Sequence, residues 1–319
     1  MEFRSLATSS LTSEIVRVVP RFQDETTGVT PALLWKRSSD DDRRRETFQG
    51  SYATEVAFYR EIAPGVDVSV PRCFAAAHEQ QTGAHVLLLE DLTPDTAGDF
   101  VRSVPPDHAE AVLREFARLH ASRWTDPAPL RRPAGDCASM NSFVEQCVLL
   151  STPYLTEHVD QHAAERTGRY ANEVARLRSA LAAGPQALIH GDAHPANVIF
   201  ASSAAARPSL VDWQCSRVDA PLRDVAQFLM LALTVEDRRR YEQELLTGYL
   251  QDLQTNGAHY DAAAAAGDYR SALMLQWGWA VAFLRHEPIW DRDTGSAMPT
   301  LVKRAAAAFD DASAELDRA

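Results

Sequence analysis

The sequence predicts an α+β protein with a small, β-rich N-terminal part over residues 1–91 and a larger, mainly helical part over residues 92–319. Before residue 92, most apolar residues occur in short runs of strand length, and one segment has helical spacing. After the polar turn TPDTAGD (93–99), apolar residues recur at helical spacing over most of the chain. Two short apolar runs interrupt the helical part and predict an embedded β-hairpin.

The N-terminal part contains the predicted strands and one predicted helix. The segments EIVRVVPRF (14–22), TPALLWKRS (30–38) and HVLLLEDL (85–92) are apolar runs typical of strands. The segment SYATEVAFYREIAPG (51–65) has apolar residues at helical spacing and ends at Pro-Gly, which predicts a helix over these residues. The charged run DDDRRRE (40–46) before it is expected to be a solvated loop.

The larger part is predicted to be helical except for the hairpin. HAEAVLREFARLHASRW (108–124) is strongly amphipathic, and helices are also expected near 141–149 and 166–183. The apolar runs VIF (198–200) and SLVDW (209–213) flank a turn-rich segment and predict the two hairpin strands. After residue 220 the spacing predicts helices to the end of the chain.

Composition and charge favour a cytoplasmic protein that binds neither nucleic acid nor membranes. The formal net charge is −12, whereas nucleic acids and anionic lipids attract clustered Lys and Arg. No apolar run approaches the ~18 residues that span a bilayer, and the N-terminus lacks the features of a signal peptide. The four cysteines have scattered spacings without a CxxC pair, which is typical of free thiols in a reducing cytosol.

The stretch LIHGDAHPANVIF (188–200) contains the strongest chemical signal. Asp192 and Asn197 have the spacing found in a kinase catalytic loop, where a carboxylate orients the attacking hydroxyl and an amide helps to bind Mg²⁺. The predicted hairpin would place Asn197 and Asp212 side by side at its open end, with strands ~5 Å apart. Two oxygen ligands at that separation suit Mg²⁺.

Two residues of the N-terminal part have the charges that phosphate transfer from ATP requires. A cation must contact the α- and β-phosphates, and a carboxylate must hold that cation in place. Lys36, one of only two lysines in the sequence, ends the predicted LLWK strand, and Glu55 lies on the predicted helix that follows. Each residue alone is also typical of a solvated surface, but their order ahead of Asp192 favours phosphate transfer.

Three other interpretations of residues 188–200 are open. His190, Asp192 and His194 alternate, so a strand would place them on one face as ligands of a transition metal, although Pro195 follows and no third His or Cys is well placed. A Ser/His/Asp hydrolase lacks the GxSxG motif that would support it. The stretch could also be a polar loop between a helix and a strand.

The sequence resembles the aminoglycoside phosphotransferase-like small-molecule kinases, in the ecdysteroid-kinase-like and choline-kinase-like branch of the protein-kinase-like superfamily. The resemblance extends from about residue 33 to 230 and is strongest over 188–229. It implies a bilobal protein-kinase-like fold with a small N-lobe and a larger helical C-lobe. The motifs that carry it are VLLLEDL (86–92), FARLHASRW (116–124), HGDAHPANVIF (190–200), LVDWQ (210–214) and APLRDVAQFL (220–229).

The resemblance also implies a role for each residue at a motif position. Asp192 would be the catalytic base, and Asn197 and Asp212 would bind Mg²⁺. Lys36 would bind the nucleotide phosphates with Glu55 as its ion-pair partner. The remaining implied positions are the backbone of Glu90, Asp91 and Leu92 against the adenine ring, and His190 and Asp224 as structural support of the catalytic loop.

Three departures from protein kinases indicate a small-molecule kinase that is not switched by phosphorylation. Gly28 is the only glycine before Lys36, so a Gly-rich phosphate cover is absent, and Trp213-Gln214 replaces Phe-Gly after the metal-binding Asp. Gly191 stands where protein kinases have the Arg that contacts a phosphorylated activation loop.

We therefore expect an O-phosphotransferase that uses ATP or GTP with Mg²⁺ and a small-molecule hydroxyl acceptor, such as an antibiotic or related natural product. The alternatives are a metabolic kinase for choline, an amino sugar or a steroid-like alcohol, and a catalytically silent pseudokinase that acts as a binding module. Several aromatic and acidic residues are candidates for the acceptor site, although the helical spacing of WGWAVAFL (277–284) is more typical of a core than of a pocket. These candidates are Trp213, Trp277, Trp279, Phe283, Trp290, Asp219 and Glu287.

Overall fold

The chain divides by its contacts into two compact units, and each is described by itself. The first consists of Met1–Thr96 and Ile199–Ser216, and the second of Ala97–Val198 and Arg217–Ala319. An antiparallel sheet dominates the first unit and helices dominate the second, which confirms the predicted α+β class. The computed structural model describes residues 2–5, 13–19, 32–93, 95–99, 101–124, 144, 146–153, 155–157, 161–203, 206–284 and 298–318.

The first unit contains a five-stranded antiparallel sheet of order β1-β2-β3-β5-β4. All three strands predicted before residue 92 are confirmed within it. Strand β3 is central, and its Lys36 is paired in register with Ile15 of β2 and Leu87 of β5. The strands are β1 (Glu2–Ser5), β2 (Ser13–Val19), β3 (Leu33–Ser38), β4 (Cys73–His78) and β5 (His85–Glu90).

Helix α1 (Asp42–Ala57) covers this sheet and continues as a π-helical turn over Phe58–Ile62. The helix was predicted to begin at Ser51, and the charged run before it was predicted to be a loop; both predictions are wrong. Arg45 explains the earlier start, because its guanidinium donates to the carbonyls of Ser39 (3.2 Å) and Thr82 (3.0 Å) and fixes the first turn to the neighbouring segments.

The predicted hairpin is confirmed within the first unit. Strands β8 (Val198–Phe200) and β9 (Ser209–Leu210) are hydrogen-bonded neighbours, and the two-residue strand β6 (Thr96–Ala97) lies on the other side of β8. The Leu210 N–H donates to the carbonyl of Ser69 (2.9 Å), which anchors the end of β9 two residues before Asp212.

The second unit is built from long helices around one short ladder. Strand β7 (Ala187–Ile189) pairs antiparallel with β10 (Arg217–Asp219), so residues 190–197 follow a fully buried strand. The predicted helices over 108–124 and 166–183 are confirmed, and the part of the predicted helix at 141–149 that is described, residues 144 and 146–149, is helical. The helices are α2 (Pro106–Ser122), α3 (Ala163–Ala183), α4 (Leu222–Ala232), α5 (Val235–Thr255), α6 (Ala262–Leu284) and α7 (Met298–Leu316).

Helix α4 is the core helix of this unit. Every one of its residues except Arg223 is buried, in agreement with the nearly continuous apolar run that follows Asp224. None of the described helices combines the length and the apolar composition that crossing a membrane requires.

His85 at the start of β5 is an ionisable group inside the first unit. Its ring stacks on Tyr52 of α1 with 4.0 Å between ring centroids, and it is 4% exposed. Neither ring nitrogen has a hydrogen-bond partner among the described residues. Burial, followed by the charges of Lys36 and His78, lowers the pKa of His85 to about 3. The imidazole is therefore neutral at physiological pH.

Replacing His85 by Phe should make the free energy of unfolding less sensitive to acid. A histidine with a lowered folded-state pKa contributes stability that is present above the unfolded-state pKa of 6.5 and is lost as the pH falls toward 3, because only the unfolded chain binds the proton. Between about pH 7.5 and about pH 5.5, the wild type should lose about 1.4 kcal/mol more than His85→Phe. Phe retains the stacking with Tyr52.

Urea unfolding at the two pH values measures this difference, with His259→Gln, a change at an exposed histidine, as the control. Equal pH sensitivity of the wild type and His85→Phe would show that His85 is protonated in the folded protein.

Candidate active site

Three charged side chains from distant parts of the sequence meet in the first unit. The Lys36 ammonium lies 2.9 Å from Glu55 Oε1, 2.8 Å from Glu55 Oε2 and 2.7 Å from Asp212 Oδ1. Lys36 is 5% exposed and Glu55 is 1% exposed, whereas the side chain of Asp212 is 23% exposed. The predicted pair of Lys36 and Glu55 is thus in contact, and Asp212 is the third member of the cluster.

Local structure explains why these side chains converge. Lys36 is on the central strand β3, and Glu55 is on the buried face of α1, which packs on the same sheet. Asp212 has φ 65° and ψ 65°, and it is the only non-glycine residue with positive φ in the described part of the chain. This conformation is uncommon for a residue with a side chain.

Trp213, the residue after Asp212, fixes the backbone there. Its indole is fully buried and stacks on Phe58 with 3.7 Å between ring centroids and 5° between ring planes. The indole N–H donates to the carbonyl of Leu210 (3.2 Å). The π-helical turn of Phe58 and the turn after β9 therefore hold Asp212 between them. A functional role for Phe58 could not be recognised in the sequence, because the residue fits an ordinary amphipathic helix.

The charges in this cluster are unequal, since one ammonium faces two carboxylates. Burial acts to lower the pKa of Lys36, but Asp212 and Glu55 outweigh it and raise the pKa above its ordinary value. Burial raises the pKa of Glu55 to about 7, with Lys36 opposing the rise and Asp212 adding to it. The lysine is therefore held in its charged form between the two carboxylates, of which Asp212 is the more exposed.

The predicted linker residues lie at the end of β5 and directly after it, in the first unit. The Glu90 N–H donates to the carbonyl of Arg72 (2.8 Å), and the Asp91 N–H donates to the carbonyl of Ala32 (3.2 Å). The Asp91 carboxylate lies 2.5 Å from Nε of Arg17. These bonds tie the segment to its neighbours and use the amides of Glu90 and Asp91. Of the three positions predicted to contact the adenine ring, only Leu92 then has an amide that is not used in these bonds.

Asp192 and Asn197 are in contact in the second unit. The Asn197 amide nitrogen lies 3.0 Å from the Asp192 carbonyl oxygen and 3.3 Å from Asp192 Oδ2. It also lies 3.1 Å from Nε2 of His194. Burial acts to raise the pKa of Asp192, but His194, His190 and the Asn197 amide outweigh it and lower the pKa. Asp192 is therefore ionised at neutral pH, as a proton acceptor must be.

Asp224 organises the backbone before Asp192. Its Oδ2 accepts the N–H of His190 (2.6 Å), and its Oδ1 accepts the N–H of Gly191 (2.9 Å). Asp224 is fully buried in the first turn of α4. Gly191 has φ 79°, a conformation that favours glycine, which gives the glycine at this position a physical reason. The structure thus places Asp224 and His190 together, as their predicted supporting role requires.

Two further side chains complete the hydrogen bonding of this loop. The Asp192 N–H donates to Nδ1 of His190 (3.3 Å), and the Ala193 N–H donates to Oε1 of Gln227 (3.2 Å). Side chains therefore accept all four amides from His190 to Ala193. Gln227 was missed in the sequence, although its position one helical turn after Asp224 on α4 was an available signal.

A match over most of the chain shows the family. A family model described as the phosphotransferase enzyme family (APH) matches residues 28–265, which is about three quarters of the chain. The chain belongs to this family.

Solved structures of low sequence identity share the fold of this phosphotransferase. A microcompartment-associated aminopropanol kinase has a TM-score of 0.59 and 15% identity, with 99% of this chain and 93% of that chain covered. The choline kinase of Streptococcus pneumoniae has a TM-score of 0.57 and 16% identity, with 98% and 94% covered. A macrolide 2′-phosphotransferase from Brachybacterium faecium has a TM-score of 0.52 and 15% identity, with 97% and 91% covered. No curated protein sequence matches the chain. The predicted protein-kinase-like fold is confirmed.

Each unit of the phosphotransferase contains an oxygen donor of a kind that binds Mg²⁺. Asp212 offers a partly exposed carboxylate oxygen. The amide nitrogen of Asn197 is used inside the loop, and no bond to its amide oxygen occurs among the described residues, so that oxygen is the atom available to a cation. Carboxylate and amide oxygens are ligands that Mg²⁺ prefers.

The transition-metal alternative does not agree with the geometry of residues 188–194. Nδ1 of His190 accepts the Asp192 N–H, and Nε2 of His194 contacts the Asn197 amide. Among the described residues, no group of three or more His, Cys, Asp and Glu side chains is arranged to bind a metal ion.

Most of the described residues that were predicted for the acceptor site are instead buried in the core or engaged in ion pairs. Trp213 and Trp277 are fully buried, so the core interpretation is correct for both. The Asp219 carboxylate lies 3.0 Å from Arg217 and 3.3 Å from Arg223, and is therefore not an open site for a cationic acceptor. Trp279 is partly exposed. The predictions for Gly28, Glu287, Trp290 and the side chain of Phe283 lie outside the described residues.

Proposed function

We propose that the protein is a Mg²⁺-dependent O-phosphotransferase that transfers the γ-phosphate of ATP or GTP to a hydroxyl group of a small molecule in the cytoplasm. In this proposal, residues 1–91 bind the nucleotide, and residues 92–319 supply the catalytic loop, the metal-binding hairpin and the acceptor site. Bound Mg²⁺ would neutralise negative charge on the transferred phosphate. Asn197 and Asp212 would hold the ion, and the Leu92 amide would contact the adenine ring.

The observation that carries the proposal is the Lys36, Glu55 and Asp212 cluster. A buried ammonium held by a buried carboxylate is a fixed positive charge, as the α- and β-phosphates require. The strained conformation of Asp212 beside it supports a catalytic assignment over a merely structural one.

Asp192 would accept the proton in the transfer step. Its Oδ2 already contacts the Asn197 amide, so Oδ1 is the oxygen we assign to the acceptor hydroxyl. As the acceptor oxygen bonds to the γ-phosphorus, the bond from phosphorus to the bridging oxygen breaks and the nucleoside diphosphate leaves. The hydroxyl proton goes to Asp192, which can receive it because its pKa is low enough for ionisation at neutral pH.

The acceptor is a small-molecule alcohol, and we favour an antibiotic or related natural product. The structures that share the fold include a macrolide phosphotransferase as well as choline and aminopropanol kinases, so the acceptor must be determined directly. The test is a mass-spectrometric screen in which the purified protein, Mg²⁺ and ATP or GTP are incubated with macrolides, aminoglycosides, amino alcohols, amino sugars and sterols.

A product heavier than its acceptor by one phosphoryl group, formed only with Mg²⁺ and nucleotide, is the expected result. If no acceptor gains mass, nucleotide is not hydrolysed above background and Mg²⁺ with nucleotide does not raise the melting temperature, the phosphotransferase proposal fails. Stabilisation by nucleotide without any turnover would instead identify a binding module.

A further inference from the structure

Two arginines share one carboxylate at the start of α4. Arg217 of β10 has its Nε and Nη2 atoms each 3.0 Å from Oδ2 of Asp219, and Arg223 of α4 has its Nε atom 3.3 Å from the same oxygen. Oδ1 of Asp219 accepts the N–H of Ala220 (2.8 Å). Both oxygens of the carboxylate are therefore in use, and this cluster contains two positive charges and one negative charge.

Arg223 is the member of the cluster whose charge is poorly matched. Its side chain is 15% exposed, Asp219 is its one ion-pair contact among the described residues, and its Nε–H donates no hydrogen bond to any of them. Burial lowers the pKa of Arg223; Asp219 opposes this change, but the charges of Arg217 and Arg178 add to it. An arginine nevertheless remains protonated at neutral pH, so the positive charge persists.

The location of Arg223 makes this charge costly for the protein alone. Arg223 lies in the first turn of α4, where the helix dipole disfavours a cation and favours an anion. Removal of a charge from water without a matched partner costs stability as well. The pair of Arg217 and Asp219 does not require Arg223, because its two contacts of 3.0 Å already match one guanidinium with one carboxylate. A cation that the fold does not need, at an unfavourable position, indicates a binding role.

The cluster borders the loop that contains Asp192. Nη1 of Arg217 lies 3.4 Å from the carbonyl oxygen of Gly191, the residue before Asp192. Arg223 directly precedes Asp224, whose carboxylate accepts the N–H of the same Gly191 (2.9 Å). An anion bound by Arg223 would therefore lie beside the loop of the residue that we assign to the acceptor hydroxyl.

We propose that Arg223 binds an anionic group of the acceptor, so that the acceptor is a small molecule with a carboxylate or a phosphate in addition to the hydroxyl that is phosphorylated. Both anions match the planar donor fork of a guanidinium. The inference rests on the proposed function, because it places the anion on the molecule that receives the phosphoryl group. The net charge of −12 opposes a general attraction of anions, so binding depends on this local cluster.

Matched acceptors test the anionic group. The mass-spectrometric screen is extended by gluconate with sorbitol, galacturonate with galactose, and glucose 6-phosphate with glucose, three pairs that differ in the anion. The sugar acids and the sugar phosphate distinguish a carboxylate from a phosphate. Acceptors with the anion should react with a kcat/KM at least about tenfold higher than that of their neutral counterparts. Phosphorylation of acceptors without an anionic group only would overturn the inference.

Variants of Arg223 test the residue. Arg223→Gln removes the charge, Arg223→Lys retains the charge without the fork, and Arg240→Gln, at an exposed arginine of α5, is the control. Arg223→Gln should raise KM for the anionic acceptor at least about 30-fold, with kcat changed by less than about threefold and KM for ATP by less than about twofold. Arg223→Lys should lose less, and Arg240→Gln should behave as the wild type.

The melting temperature separates this role from a structural one. It should not fall in Arg223→Gln, because the substitution removes an unmatched charge and leaves the pair of Arg217 and Asp219 intact. An unchanged KM for the acceptor in Arg223→Gln would overturn the inference. A raised KM for ATP alone would also overturn it, because Arg223 would then bind the nucleotide phosphates.

Sulfate probes the site without any reaction. The melting temperature is measured in sulfate and in chloride of equal ionic strength, with Mg²⁺ and ADP present to fill the nucleotide site. Sulfate at about ten times its Kd should raise the melting temperature of the wild type and of Arg240→Gln by about 3 °C more than that of Arg223→Gln. General effects of sulfate on stability are the same in all three proteins and cancel.

An equal response of the three proteins to sulfate would overturn the anion site. Failure of the proposed function is distinguishable from this outcome. If sulfate binds through Arg223 while no acceptor is phosphorylated and no nucleotide is hydrolysed, the proposed function fails, and the assignment of the anion to the acceptor fails with it, whereas the anion site itself is confirmed.

Discussion

Replacing Asp192 by Asn should lower kcat about 1,000-fold and leave nucleotide affinity within about twofold, because a positioned general base typically contributes a factor of about 100 to 10,000. Asn has the same shape and can still accept a hydrogen bond from the Asn197 amide, so the loop should keep its structure. It cannot accept the proton of the acceptor hydroxyl at neutral pH. The loss should therefore occur in kcat and not in KM for ATP.

The measurement combines steady-state kinetics with the nucleotide-dependent shift in melting temperature. Asp252→Asn is the control, because Asp252 is a partly exposed carboxylate on α5 whose nearest ion-pair contact, with Arg114, is 3.8 Å long. It should retain wild-type turnover. If Asp192→Asn keeps more than about a tenth of kcat, Asp192 is not the proton acceptor and another group must be.

Sequence spacing predicted the residues of both clusters because the chemistry constrains their order along the chain. Asp192 and Asn197 are near neighbours in a short loop, so a fixed spacing brings them into contact. Lys36 and Glu55 lie on a strand and the helix that follows it, and the scarcity of lysine made Lys36 informative. In both cases the local pattern and the chemical requirement identified the same residues.

The supporting residues could not be predicted in the same way, because tertiary contacts determine their roles. Nε2 of His120 lies 3.3 Å from Asp224 Oδ2, and its Nδ1 lies 2.8 Å from the hydroxyl of Tyr249. His120 and Tyr249 occur at ordinary positions of amphipathic helices, and only the packing of α2 against α5 brings them into contact. Gln227 likewise depends on where α4 lies relative to the loop. Buried polar side chains of this kind are recognisable only after the partners are known.

The predicted start of α1 is wrong because the prediction rests on local charge, whereas tertiary contacts of Arg45 stabilise the first turn. Seven polar residues from Asp40 to Glu46 indicate a solvated loop when considered alone. In the structure, exposed charged side chains and helical backbone coexist there, because Arg45 bonds to carbonyls outside the helix. The segment WGWAVAFL shows the opposite limit: its helical spacing fitted both a pocket and a core, and burial assigns Trp277 to the core.

Replacing Lys36 by Met should destabilise the protein by about 3 to 5 kcal/mol and abolish its stabilisation by Mg²⁺ and nucleotide. Removal of one partner of a buried ion pair leaves the other charge uncompensated, which typically costs this much. Glu55 would respond by taking up a proton, since burial already raises its pKa to about 7 and the opposing effect of Lys36 would be gone. Asp212 would be affected less because its side chain is partly exposed to water.

The double variant with Met at Lys36 and Gln at Glu55 separates stability from function. A neutral pair has no uncompensated charge, so it should recover most of the lost stability, as measured by urea unfolding, and still fail to respond to nucleotide. Lys303→Met, at the exposed second lysine of the chain, is the control and should behave as the wild type in both measurements. A double variant that regains nucleotide stabilisation would assign phosphate binding to a group other than Lys36, because it lacks the Lys36 ammonium.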